Sequence, residues 1–183
     1  MRSGSDGMDR LAGDTAPPLD VLCAEIVERY HASLHRTLPL ISAGLGALCD
    51  ATPSLALREV RHAFSDLADQ IAAHLAKEEH LLFPAFAALA AADREHRSRP
   101  PLPFVTVLHP IRMMEAEHAR IDAGLERLRD LSLEVAEPDS VLPGWRRCLG
   151  ALTTLARDLR EHHRRENELL FPLALEIERR LSV

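Results

Sequence analysis

The chain has 183 residues, 46% hydrophobic and only 4% aromatic, with a formal net charge of −6 at pH 7 when histidine is neutral. That length supports one domain with a substantial core, the aromatic-poor, Leu- and Ala-rich composition favours helices over sheets, and an acidic balance without a long basic cluster excludes a nucleic-acid binder. The three cysteines, Cys23, Cys49 and Cys148, have no CxxC spacing; they exclude a disulfide framework or zinc ribbon and fit a reducing cytosol, so the expected location is cytoplasmic.

Residues 1–18 are rich in Gly, Ser and Asp and lack the apolar stretch of a secretory signal, which predicts a loose polar tail ahead of one helical domain over 19–183. Four segments carry helical periodicity. The first, about Leu19 to Cys49, sets Val27, His31, Leu34, Leu38, Ile41, Leu45 and Leu48 along one stripe, with a kink expected at Pro39. A turn over 51–54 follows, with Ser54 as N-cap of the next helix. The second segment, about Leu55 to Glu95, presents Leu67, Ile71, His74, Glu78, Leu81 and Ala85 before the proline-rich break at 99–103.

The third segment, about Pro110 to Leu131, lines up Ile111, Met114, His118, Ile121, Leu125 and Leu128, with Pro110 placed in its first turn. Residues 137–140 break the pattern. The fourth, about Val141 to Leu181, carries Leu152, Leu155, Leu159, His162, Glu166, Leu169 and Leu173. Pro84 and Pro172 interrupt the second and fourth segments at matching places and should bend both helices just past the pairs His74/Glu78 and His162/Glu166. No apolar run approaches the roughly 20 residues that cross a bilayer, so no membrane partner is expected.

Within these helices one pattern, His-x3-Glu-x4-Phe-Pro, occurs twice: His74, Glu78, Phe83, Pro84, and His162, Glu166, Phe171, Pro172. Residues four apart stand on one helix face, so each copy aims an imidazole and a carboxylate in the same direction. His31 precedes the first copy by 43 residues and His118 the second by 44, so the whole arrangement is written twice. A single histidine on an apolar face is ordinarily a hydrogen-bonded core residue. Here four histidines and two glutamates, His31, His74, Glu78, His118, His162 and Glu166, all lie on apolar stripes at repeat-related positions. A carboxylate there is costly unless paired or bound to a cation. The set suits two iron or manganese ions, or zinc. The expected fold is all-α: an antiparallel up-down four-helix bundle around a central dinuclear metal site.

Glu79, Glu117, Asn167 and Tyr30 adjoin these positions as candidates to orient them. His35 lies to the side of its stripe, His62, His80 and His96 lack repeat partners, His109 begins a helix, and His163 is expected to point off-axis.

The stretches 74–84, HLAKEEHLLFP, and 162–172, HHRRENELLFP, resemble the signatures of hemerythrin-like, HHE cation-binding domains. Residues 109–118, HPIRMMEAEH, together with Arg29-Tyr30-His31 and Leu38-Pro39, are similar to the iron-centre repair subgroup. The resemblance covers about residues 19–180. It implies a non-haem di-iron centre with His31, His74, His118 and His162 as terminal ligands and Glu78 and Glu166 as bridges. The subgroup also tends to carry a histidine shortly after the first helix. Residues 48–53 hold none, which implies either Cys49 or Asp50 as a substitute or one iron with an open position for water or a small ligand. Nor does the sequence contain the subgroup's small N-terminal domain with its cysteine motif.

Such a centre implies binding of O2, NO or peroxide in the response to nitrosative or oxidative stress, with repair of iron–sulfur centres as a further role and iron–sulfur proteins as further partners. Any enzymatic activity would be redox chemistry at the metals, since no nucleophilic triad, phosphate loop or dinucleotide fingerprint competes. Two other classes fit the same residues: an oxygen or nitric oxide carrier or sensor module without turnover, and a zinc-filled structural bundle.

Overall fold

The structure, a computed structural model, describes residues 17–135 and 143–182. The expected tail at 1–18 lies almost wholly outside the described residues, as does the break at 137–140.

The four periodic segments form four helical rods. The first comprises α1 (Leu19–Ile26), a π-helical turn at Val27–His31 and α2 (Ala32–Ala51). The second comprises α3 (Leu55–Lys77), a π-turn at Glu78–Leu82 and α4 (Phe83–Arg94). The third is the unbroken α5 (Leu108–Val135), and the fourth joins α6 (Pro143–Arg165), a π-turn at Glu166–Leu170 and α7 (Phe171–Leu181). Contacts of α1 with α4, α2 with α3 and α6, and α5 with α3 and α6 place the rods as the bundle requires. No strand occurs among the described residues.

Ser54 caps α3 as its sequence position predicts: it is extended, and its hydroxyl accepts the Leu57 N–H at 3.3 Å. The connection from α4 to α5 is pinned by the buried Glu178 of α7. Its carboxylate accepts from Arg99, the Thr106 hydroxyl and the Val107 N–H. His96 ends α4 in the left-handed region at φ 51°.

Pro39 lies within α2, which continues through it with the ring on the exposed face, and the π-turn of this rod falls upstream at Val27–His31. Pro84 and Pro172 occupy the first turns of α4 and α7, and a π-turn interrupts each rod ahead of them, from Glu78 and from Glu166, at the place expected just past each His–Glu pair. Phe83 N–H reaches the Glu78 carbonyl and Phe171 N–H the Glu166 carbonyl, five residues back. The wider turn makes room for a proline ring that an α-helical carbonyl would strike. Its extra residue also shifts the buried stripe: Leu81 and Leu169, expected inside, are 43% and 46% exposed, while Leu82 and Leu170 are buried instead.

The core divides into two apolar blocks. One, built by α2, α3, α5 and α6, centres on Phe64 and Trp145. The other gathers α1, α4, α7 and the start of α5 around Phe86 and Phe171. The buried polar side chains His31, His74, Glu78, His118, His162 and Glu166 belong to neither block.

Candidate metal centre

Each of the four rods sends side chains to one buried cluster. His31 comes from the π-turn of the first rod, His74 and Glu78 from the second, His118 from α5, and His162 and Glu166 from the fourth. Glu78 and Glu166 each open a π-turn one helical turn after their histidine. All six expected residues are brought together, none more than 2% exposed.

The carboxylates are shared in a definite way. Glu78 turns Oε2 toward His31 Nε2 at 3.4 Å and Oε1 toward His74 Nε2 at 3.3 Å. Glu166 turns Oε1 toward His162 Nε2 at 3.0 Å and Oε2 toward His118 Nε2 at 3.1 Å. Two four-donor groups result, His31–Glu78–His162–Glu166 and His74–Glu78–His118–Glu166, each with its donor atoms within 4.8 Å of one another. Donors at right angles around a metal bonded at roughly 2.1 Å lie about 3 Å apart, which these spacings approach.

The remaining ring nitrogens show which tautomer is held. His31 Nδ1–H donates to Glu79 at 2.8 Å, His74 Nδ1–H to Glu117 at 3.1 Å, and His118 Nδ1–H to Asn167 Oδ1 at 3.1 Å. With Nδ1 protonated, each Nε2 presents a lone pair to the centre, the state a metal-binding imidazole needs. The Tyr30 ring stacks on His162 with centroids 5.5 Å apart. The repeated Phe-Pro has a role here as well. Phe83 stacks on His31 and Phe171 on His118, so each phenylalanine covers the lone histidine of its own repeat.

Charge is poorly accommodated without a cation. Burial, then the neighbouring His162, pushes His31 down to about 4; burial, then His118, does the same to His74. Burial and then the adjacent Glu166 carboxylate raise Glu78 well above the usual range. For Glu166 burial is the largest single influence, yet His162 and His118 outweigh it and hold this carboxyl well below its ordinary value. Both oxygens of both carboxylates, and the Nε2 atoms of His74 and His118, are buried without a hydrogen-bond partner. Orphaned acceptors on two carboxylates facing four imidazole lone pairs lack one kind of partner, a cation. The residues fit metal ions.

Cys49 and Asp50 do not join the cluster: the Cys49 thiol donates to the Leu57 carbonyl at 3.5 Å and Asp50 is exposed. Cys23 is buried, and burial followed by the charge of Glu166 raises its thiol to about 12, which keeps it out of thiolate chemistry. His35 is half exposed and donates to Glu79. His62, His80, His96 and His109 are on the surface. The residue the sequence reading misses is His163. It is 3% exposed, and its ring lies 4.0 Å from that of His118. It forms a further three-donor group with His74 and His118. A signal was present in Asp122, one turn after His118 on α5, whose carboxylate accepts from His163 Nδ1–H at 3.2 Å.

The chain is similar in sequence to known proteins. The chain is 32% identical over 160 residues to the iron–sulfur cluster repair protein YtfE of Edwardsiella ictaluri, and 29% identical over 161 residues to that of Yersinia pseudotuberculosis. In both cases 86% of this chain is aligned, and it spans 66% of the relative's length. It is 26% identical to the iron–sulfur cluster repair protein DnrN of Neisseria gonorrhoeae, over 88% of this chain and 94% of that protein. The hemerythrin HHE cation-binding domain matches twice, at residues 24–99 and 109–182, dividing the chain into the same two halves as its duplicated motif, and the chain belongs to that family.

Proposed function

We propose that this protein holds two iron ions, with His31 and His162 on one, His74 and His118 on the other, and Glu78 and Glu166 bridging them. Its role is to bind O2, NO or peroxide under nitrosative or oxidative stress, or to supply iron to damaged iron–sulfur centres. The observation that carries the reading is the division of each carboxylate between two histidine pairs, one oxygen to each. The names of the relatives support the repair half of it.

Bound iron would supply redox chemistry and coordination of small molecules. The chain's own residues do the rest. Glu79, Glu117 and Asn167 fix the imidazole tautomers. Phe83, Phe171 and Tyr30 cover the rings with apolar surface and exclude bulk water. Two carboxylates between the ions offset part of their charge in a site with little other solvation.

The test is metal analysis of anaerobically purified protein, with absorption spectra before and after O2 and NO. Near two irons per chain and a spectrum that responds to either gas is the expected result. Stoichiometric zinc in a colourless protein would overturn it in favour of a structural bundle. Glu78→Ala and Glu166→Ala should each lose at least one ion, and full retention in both would contradict the bridging assignment.

A further inference from the structure

Each imidazole of the cluster has one flank toward the outside of the bundle, and the four flanks differ in charge. At His162 it is the buried ring of Tyr30. At His118 it is the neutral amide of exposed Asn167. At His74 it is Glu117, but Lys77 pairs with that carboxylate and Arg120 stands 3.7 Å from it, so two fixed cations guard this side. At His31 it is Glu79, and here the next group outward is another imidazole. Glu79 Oε1 accepts from His31 Nδ1–H at 2.8 Å and from Nε2–H of the half-exposed His35 at 3.0 Å. Among the described residues no lysine or arginine pairs with Glu79. Burial raises its carboxyl, but the hydrogen bonds from His35 and His31 outweigh burial and hold it below the usual range, so it is an anion. A divalent cation nearing the bundle is therefore repelled at Lys77 and Arg120 and attracted at Glu79. His35 and Glu79 are also side chains of the kinds that bind iron, manganese or zinc. Their facing atoms are 3.0 Å apart, against 3.0 to 3.4 Å between imidazole and carboxylate donors inside. His35 follows His31 by one helical turn and Glu79 follows Glu78 directly, so the outer pair repeats His31 and Glu78 one step nearer solvent.

We infer that His35 and Glu79 form a transit site for a divalent cation, by which the ion held at His31 and His162 enters and leaves the bundle. This rests on the dinuclear reading above and gives its iron supply a route. The cation takes the place of the proton on His35 Nε2, which passes to solvent or to Nδ1, and Glu79 is the second donor, with water in the remaining positions. Both side chains are part-exposed, so a small turn of either opens the gap for an ion. Two protein donors hold an ion loosely, as a place of passage requires, while the four-donor groups inside hold it firmly. Because Glu79 also carries the His31 Nδ1–H, an ion at the transit site draws that carboxylate away from His31 and loosens the innermost ligand as the ion passes.

The experiment is anaerobic stopped-flow measurement of Fe(II) uptake by the metal-free protein and of Fe(II) release from the loaded protein to excess chelator. Wild type, His35→Ala, His35→Gln and Arg120→Ala are compared, with iron per chain and equilibrium affinity measured for each. In both His35 variants, uptake and release of one ion should each slow roughly tenfold, with the affinity of both ions unchanged. A site on the path alters the two directions equally, whereas a group that merely steadies the centre alters affinity. The glutamine separates these roles, since its amide keeps an N–H for Glu79 but is a poor iron ligand. Wild-type rates in His35→Gln beside a lost affinity in His35→Ala would reduce His35 to a positioning residue and overturn the transit site. Wild-type rates in both His35 variants would overturn it too, and faster uptake in Arg120→Ala would then place the route at Glu117. A wild type that binds fewer than two irons at equilibrium, whatever its rates, would overturn the dinuclear reading and the transit site with it.

Discussion

An imidazole ligates through one nitrogen, and its other nitrogen decides how well. Around this centre that second nitrogen meets a carboxylate at His31 and His74, an amide oxygen at His118, and no partner at His162. Glu117 bears the most on the site because it joins two elements. It accepts from His74 on one side and pairs with Lys77 on the other. Burial is the largest single influence on its carboxyl, and the hydrogen bonds from Lys77 and His74 overcome it and keep the group ionised. Glu117→Gln leaves an oxygen for the imidazole but removes the negative charge that makes His74 a stronger donor. Affinity for the ion proposed at His74 and His118 should fall roughly tenfold, read by chelator competition, while the fold is retained. An unchanged affinity would reduce the Lys77–Glu117 pair to a surface ion pair of little consequence.

At the scale of elements, the four rods were legible because apolar residues recur with helical spacing, and because Ser54 and the proline-rich stretch at 99–103 are strong punctuation. The gathering of His31, His74, Glu78, His118, His162 and Glu166 was legible because the pattern is written twice. Two things were not. The π-turns leave no mark in a 3.6-residue period, so Leu81 and Leu169 were assigned to the stripe that Leu82 and Leu170 occupy. His163 is a related case: neighbours on a helix diverge by about 100°, so with His162 inside, His163 is expected to point off-axis. It is buried all the same, because α5 closes over that flank and covers it with His118 and Asp122. The same packing shows where the helices carry slack. Gly46 in α2 and Gly150 in α6 sit mid-helix, and a Cβ added at either would meet nothing within 4 Å. Gly46→Ala and Gly150→Ala should therefore each stabilise the bundle, by about 1 kcal/mol or somewhat less, seen as a raised midpoint in urea unfolding. A lowered midpoint would mean that these positions touch something the bundle interior does not reveal.

Across the whole molecule, the buried polar cluster is walled by Tyr30, Phe83 and Phe171 of one apolar block, and burying it makes the bundle sensitive to acid when metal is absent. His31 and His74 titrate at about 4 in the folded chain and His163 at about 2, in each case chiefly through burial, against 6.5 when exposed. An unfolded chain therefore takes up protons below about pH 6.5 that the folded chain refuses, so acid favours unfolding. Stability is fully present above that pH and is lost as pH falls toward 4. Glu78 acts in the opposite sense. Its raised carboxyl is protonated in the folded chain before the unfolded one, which favours the fold as pH drops. Three histidines against one glutamate leave the acid-labile direction ahead, each unmatched proton contributing about 1.4 kcal/mol per pH unit. Thermal unfolding of the protein in chelator should thus give a midpoint that falls steadily from pH 7 to pH 5. Glu78→Gln, which removes the opposing group, should make the fall steeper. A midpoint that holds level across that range in both proteins would mean that the imidazoles accept protons without unfolding, and that water reaches the centre from which the apolar walls are expected to exclude it.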